Sequence, residues 1–185
     1  MANESQPTKV ITGKVRFSYL HVFEPWAMED GQEKKYTASL LIRKDDKATL
    51  DKINKAIEAA KNLAKAKNGG KLPAKFKLPL SDGDIDKPED DAYAGCYYVN
   101  ANCKTKPGVV DKDCNPILDQ DEIYSGCYGR ASITFYPFEV SGNKGIACGL
   151  NNVQKLKDGE PLGGRVAAEV DFADSFEDDE DDDLL

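Results

Sequence analysis

Asp82, Asp84 and Asp86 alternate within the stretch PLSDGDIDKPEDD, and convergent carboxylates at such spacing are the kind of group that holds a divalent cation. An EF-hand loop beginning at Asp82 would need glycine and glutamate where Lys87 and Tyr93 stand. A magnesium-dependent nuclease using the three aspartates is a possible reading, but the single histidine, His21, and the lack of a nucleophile–base pair leave it without partners. An acidic turn closed by Asx-type hydrogen bonds is the favoured reading. The five cysteines, Cys96, Cys103, Cys114, Cys127 and Cys148, are odd in number and include no CxxC pair. They read as reduced thiols rather than zinc ligands. No catalytic group, metal or cofactor is expected.

The other chemistry lies in aromatic, amide and cationic side chains that share the polar parity of alternating segments. In GCYYVNANCK (residues 95–104), Tyr98, Asn100, Asn102 and Lys104 fall on one side, with Tyr97, Val99, Ala101 and Cys103 on the other. In residues 129–140, Arg130, Ser132, Thr134 and Tyr136 oppose Ala131, Ile133 and Phe135. Near the start, Thr12, Lys14, Arg16 and Ser18 oppose Ile11, Val15, Phe17 and Tyr19. Rings that can stack and cations that can meet phosphates are what a single-stranded nucleic-acid groove requires. Trp26 follows Pro25 in a presumed loop, Phe23 to Gly31. It is either a plug over one end of the fold or a stacking platform, the plug being favoured because large aromatics are usually well buried. The candidate contact set for single-stranded DNA is Lys14, Arg16, Trp26, Tyr98, Asn100, Lys104, Arg130 and Tyr136.

Short alternating strands must position these groups. Residues 10–21 and 34–42 read as the first two, with Tyr36, Ala38, Leu40 and Ile42 inward on the second. A helix is expected over 47–67, capped by Asp45 or Asp46, striped by Leu50, Ile53, Ile57, Ala60 and Ala64, and stopped at Gly69-Gly70. Its lysines read as a solvated face. Residues 71–92 read as an inserted segment on the surface. The strand of residues 129–140 turns through Ser141 to Gly145 into a partner at 146–156. The fold class is mainly β with one or two helices: a small closed β-barrel with an inserted helix and long loops.

The net charge of −8 is unevenly placed. Ten of the 33 acids lie in residues 169–185, which carry no Lys or Arg; residues 1–168 are left with 23 acids against 25 bases. The division expected is a globular body over 1–168 and a disordered acidic tail over 169–185. Phe176, Asp181, Asp182, Asp183, Leu184 and Leu185 would form a docking peptide on that tail. No apolar run approaches the ~18 residues of a membrane helix, and the start MANESQPTKV has no apolar segment. A cytoplasmic location, with no membrane contact, is expected.

Several segments in order, VRFSYLHVFEP, KKYTASLLIRK, PLSDGD, YYVNANCKTKPGVVD, IYSGCYGRASITFYPF and KGIACGLNNVQKL, resemble the bacteriophage single-stranded-DNA-binding proteins. The resemblance spans roughly residues 10–165. It implies an OB-fold, sequence-independent binding of single-stranded DNA, and a role in phage DNA replication or recombination in the host cytoplasm. It further implies a tail that competes with DNA for the groove and recruits replication or recombination proteins. Such tails often end in Phe, whereas this one ends in Leu184-Leu185. A homodimer through an unpaired strand edge is possible. The alternative function is an acidic-tailed protein-interaction or DNA-mimic module that does not bind DNA.

Overall fold

The computed structural model describes residues 7–27, 29–162 and 172–173. Among these, the chain forms β1 (Lys9–Ile11), β2 (Val15–Trp26), β3 (Lys35–Arg43), α1 (Lys47–Lys67), β4 (Leu80–Asp82), α2 (Gly83–Asp86), β5 (Cys96–Cys103), β6 (Gly108–Val110), β7 (Tyr128–Val140) and β8 (Asn143–Lys157). Single 3-10 turns occupy Asp91–Tyr93 and Gln120–Glu122. β2, β3 and β5 pair antiparallel in that order, β5 pairs parallel with β8, β8 pairs antiparallel with β7, and β7 returns to β2. Five strands therefore close a ring, the closure expected from the alternation and the OB-like arrangement implied by the resemblance. β1 extends β7, β6 extends β8 and β4 extends β5 outside it.

The ring is filled by Phe17, Leu40, Ile42, Val99, Ala131, Ile133, Phe135, Leu150 and Val153. The same core takes in Leu50, Ile53, Ala56, Ile57 and Ala60 of α1. Each large side chain so buried contributes about 1.5–3 kcal/mol of transfer free energy, so α1 is held by its stripe rather than by its many lysines. The helix has the expected bounds. The Asp46 carboxylate accepts from the Thr49 amide at 3.2 Å and starts it, and the Gly70 amide donates to the Lys65 carbonyl at 2.7 Å beyond its end. No helix among the described residues is long and apolar enough to cross a membrane.

Four expectations are corrected. The first strand is two: the chain leaves the ladder at Thr12–Lys14, so Val10 and Thr12 turn inward and Ile11 outward. Thr12 is buried because its hydroxyl accepts from the Ala131 amide and donates to the Gly13 carbonyl. Second, Pro25 does not end β2, which runs on to Trp26, paired with Lys35. Third, the β7–β8 turn is only Ser141-Gly142, whose φ angles of 50° and 81° match a two-residue type I′ hairpin, so β8 starts at Asn143.

The fourth correction concerns Tyr19, Ser18, Ser39, Leu41 and Tyr98. Register shifts in β2 between Ser18 and His21, with Tyr19 at φ 46°, form a bulge. A bulge re-aims side chains, and Tyr19, expected inward, is exposed while Ser18 is buried. Residues 80–96 fold back over the outer face of β3 and β5, and Leu41, Tyr93, Cys96 and Tyr98 make a second, smaller core there. Parity reads an outer face as wet; here a segment from elsewhere in the chain covers half of it.

Candidate nucleic-acid interface

The segment that covers Leu41 is fixed by the aspartates that suggested a metal. Lys44 Nζ lies 3.0 Å from Asp82 and 2.8 Å from Asp84. Hydrogen bonds to those two carboxylates push the Lys44 ammonium pKa well above its ordinary value. The Lys44 hydrogen bond, then the Gly95 amide, holds the Asp84 carboxyl below the usual range. Asp82 also accepts from the Asp84 amide, the Asx-type contact the turn predicts. Asp86 points elsewhere and accepts from the Tyr98 hydroxyl at 3.0 Å. The three carboxylates thus serve two separate anchors.

Beside this segment a cleft of about 220 Å³ opens on the outer face of β2, β3 and β5. Tyr19, Trp26 and Tyr93 wall it, with Thr37, Ser39 and Asn100 among its small polar lining groups. Tyr19 is 48% exposed, and Lys87 Nζ sits 5.8 Å from its ring centroid. A non-glycine residue at positive φ costs about 1–3 kcal/mol and persists where the surroundings enforce it. Trp26 is 36% exposed and stacks on His21, centroids 4.7 Å apart and planes 4° from parallel. Burial lowers the His21 pKa, which favours the neutral imidazole in this stack. Trp26 is therefore a supported, accessible ring at the end of a strand, not a plug.

From the cleft the strand registers carry one row of residues around the ring. His21 on β2 faces Thr37 on β3, Thr37 faces Asn102 on β5, Asn102 faces Gly149 on β8, and Gly149 faces Thr134 on β7. At about 4.8 Å per strand step the row is roughly 19 Å long. Gly149 keeps it low: a Cβ there would stand 3.3 Å from Tyr136 Cε1. Tyr136, 42% exposed, thus lies over the row at its far side from Trp26. Asn151 Nδ2 donates to the Thr134 hydroxyl at 2.9 Å and ties down the last position.

The structure brings Trp26, Asn100 and Tyr136 of the candidate set to this surface. Tyr98 also borders the cleft, but at 9% exposed, with its ring edge-on to Tyr93 at 5.2 Å and its hydroxyl on Asp86, it is lining rather than a free platform. Lys104 stands past the end of β5, 3.3 Å from Glu33. Arg130 donates through Nε and Nη2 to Gln154 Oε1 at 3.0 and 2.8 Å.

Lys14 and Arg16 lie in a different groove, with Arg43, Tyr128 and Lys157. Arg16 donates to the carbonyls of Gly126 at 3.0 Å and Glu160 at 2.7 Å, and it and Lys14 sit over the Tyr128 ring at 5.6 and 5.8 Å. A larger hollow of about 850 Å³ is lined by Arg16 and Lys87 and by five acids, Asp86, Glu89, Asp90, Asp91 and Glu160, an excess of negative charge. That charge repels phosphate. Sequence reasoning missed Tyr19, His21, Thr37, Ser39, Lys87 and Gly149. Only Asn102, placed on the polar parity of its strand, had a signal. Phe176, Asp181, Asp182, Asp183, Leu184 and Leu185 lie outside the described residues.

The family described as Enterobacter phage Enc34, ssDNA-binding protein, matches residues 8–185. Protein p50 of the Acyrthosiphon pisum secondary endosymbiont phage 1 is 33% identical over 177 residues, covering 90% of this chain and 93% of that protein. The single-stranded DNA-binding protein from bacteriophage Enc34, solved in complex with ssDNA, aligns with a TM-score of 0.74 at 32% identity over 84% of this chain and 90% of that one. The single-stranded DNA binding protein encoded by bacteriophage T7 shares the fold, with a TM-score of 0.60 at 16% identity over 91% of this chain and 94% of its own.

Proposed function

The chain belongs to the Enc34 phage ssDNA-binding protein family, and we propose that it binds single-stranded DNA, without catalysing a reaction, in phage DNA replication or recombination. The observation that carries this reading is the row from His21 to Thr134, low and polar along its length, with exposed rings at Trp26 and Tyr136 on either side of it. Bases stack on the rings, each worth about 1–3 kcal/mol and indifferent to sequence because every base has a π-face. Lys87, beside the cleft, meets phosphate, and Lys104 and Arg130 do so by exchanging Glu33 and Gln154 for it. Lys14 and Arg16, in a separate groove, are engaged with Tyr128 and, for Arg16, with backbone carbonyls, and stay outside this contact.

Residues 169–185 act as a tethered polyanion. They compete with DNA at high effective concentration and, once displaced, dock a replication or recombination protein through Phe176, Asp181, Asp182, Asp183, Leu184 and Leu185. Residues 1–168 are the binding body. The host cytoplasm is where this work is done.

Fluorescence-anisotropy titration of a labelled oligo-dT tests the reading, using the full chain and the chain cut after Ala168, with a duplex of equal length as control. With three or four phosphates neutralised, log K falls with log salt at a slope of about −2 to −3. The cut chain binds more tightly at low salt. No binding by either form would refute the reading in favour of the DNA-mimic alternative, and equal affinity with and without the tail would refute the competition.

A further inference from the structure

Four of the hydroxyl groups around the cleft, those of Thr37, Ser39, Tyr93 and Tyr98, are engaged within the protein. Thr37 Oγ1 donates to the Tyr19 carbonyl at 3.1 Å. Ser39 Oγ donates to Asn100 Oδ1. Tyr98 donates to the Asp86 carboxylate at 3.0 Å, and Tyr93 to the Ser18 hydroxyl at 3.3 Å. With the Asn100 oxygen on the Ser39 hydroxyl, the NH2 group is the part of that amide left without a partner. Among the described lining residues this leaves as donors the Asn100 NH2, the Lys87 ammonium, the Tyr19 hydroxyl and the Trp26 indole N–H, with the Asn102 amide also in the lining; of these only Asn100 and Asn102 stand on β5 at the floor of the cleft. A cleft of about 220 Å³ is below the roughly 300–1,000 Å³ of sites for drug-sized ligands. It has room for one planar ring rather than a stack.

We infer that this cleft is a base-reading subsite: it takes one unstacked pyrimidine between Tyr19 and Trp26 and selects a 4-keto base, thymine or uracil, over cytosine through the Asn100 NH2. The inference rests on the single-stranded-DNA reading and adds to it. Stacking surfaces alone give modest preferences set by stacking strength and backbone flexibility. A fixed donor in a walled site distinguishes O4 of thymine, an acceptor, from the 4-amino group of cytosine, a donor. An amine placed there meets the Asn100 hydrogens, and both groups lose their partners. Tyr19 gains a use for its costly backbone: the bulge sets its ring against the cleft, where core parity would have buried it.

Uracil and cytosine separate this mechanism from the others, because they share ring size, lack the methyl group, and differ only at the 3,4 edge. Titrations of the full chain with labelled dT, dU and dC oligomers of equal length should give dT and dU within about twofold of each other. Each should bind about tenfold more tightly than dC, a single-contact discrimination of ordinary size. Asn100→Ala should bring the dU/dC ratio near one. Asn100→Asp, which can only accept, should move it in favour of dC, whatever the added negative charge does to all three affinities. A dU/dC ratio of one in the unsubstituted chain, or a ratio that neither variant changes, would overturn base reading and leave the binding function standing. Failure to bind any of the three oligomers would remove both.

Discussion

Residues 80–96 divide the outer face of β2, β3 and β5 into two unlike halves. On one side, Tyr19, Trp26 and Asn100 stand around an open cleft. On the other, Lys14 and Arg16 lie over Tyr128, and Arg16 reaches two backbone carbonyls. Both halves carry aromatic rings and cations on or beside strands of the same sheet. They differ in whether those groups are already engaged. The open half has one cation near a ring, Lys87 at 5.8 Å from Tyr19, and keeps Trp26 36% exposed beyond its stack on His21, while the basic half sets both Lys14 and Arg16 over Tyr128 and commits its guanidinium to two backbone carbonyls. A cation counted on an outer strand face is therefore not by itself a phosphate ligand.

The sharpest way to break this comparison is to remove rings from the open half. Trp26→Ala and Tyr136→Ala should each weaken oligo-dT binding by about 1–3 kcal/mol, measured by anisotropy at fixed salt. Both residues are surface-accessible, so melting temperatures should change little. Loss of folding without a specific loss of affinity would place these rings in the architecture instead.

Arg16→Ala examines the opposite half. Hydrogen bonds from a charged donor are worth about 1.5–3 kcal/mol, less where solvent reaches them, so a stability loss of about 1 kcal/mol in urea unfolding is expected. Oligo-dT affinity should stay within about twofold. A large drop in affinity at unchanged stability would show that the basic half binds DNA and that the two halves are not distinct in function.

The smallest effects are with pH. The folded pKa of His21 lies below its ordinary 6.5 because burial disfavours the imidazolium. Its contribution to stability is present above 6.5 and is lost as pH falls through the lowered folded value. Thermal melts should drop slightly more between pH 7.5 and 5.5 in the parent than in His21→Gln. Asp84 behaves similarly at lower pH: its depressed pKa makes its tie to Lys44 stable above 3.8 and lost as pH falls through the folded value. Near-ultraviolet circular dichroism of the tyrosines should record segment 80–96 loosening there, and Asp84→Asn should remove that step.

The ring of strands and α1 were legible because each has its own period: Ala131, Ile133 and Phe135 alternate, and Leu50, Ile53 and Ile57 repeat at helical spacing. The candidate site was legible where a strand stayed regular and uncovered, as at Asn100 and Tyr136, and at Trp26 through its residue type alone. Tyr19 was hidden because a bulge breaks the parity on which its placement depended. Tyr98 was misplaced because the residues covering it, from Asp86 to Tyr93, pack on it by tertiary contact alone. Gly149 shows its purpose only beside Tyr136, a neighbour set by strand register.

Trp26 is the only tryptophan in the chain, and the central claim, that DNA lies across the row it borders, can be read from its emission. Titration with unlabelled oligo-dT should quench or shift that fluorescence, with a midpoint equal to the one anisotropy gives and with the same salt dependence. DNA binding that saturates by anisotropy while the tryptophan emission stays unchanged would place the strand on another face and contradict the account.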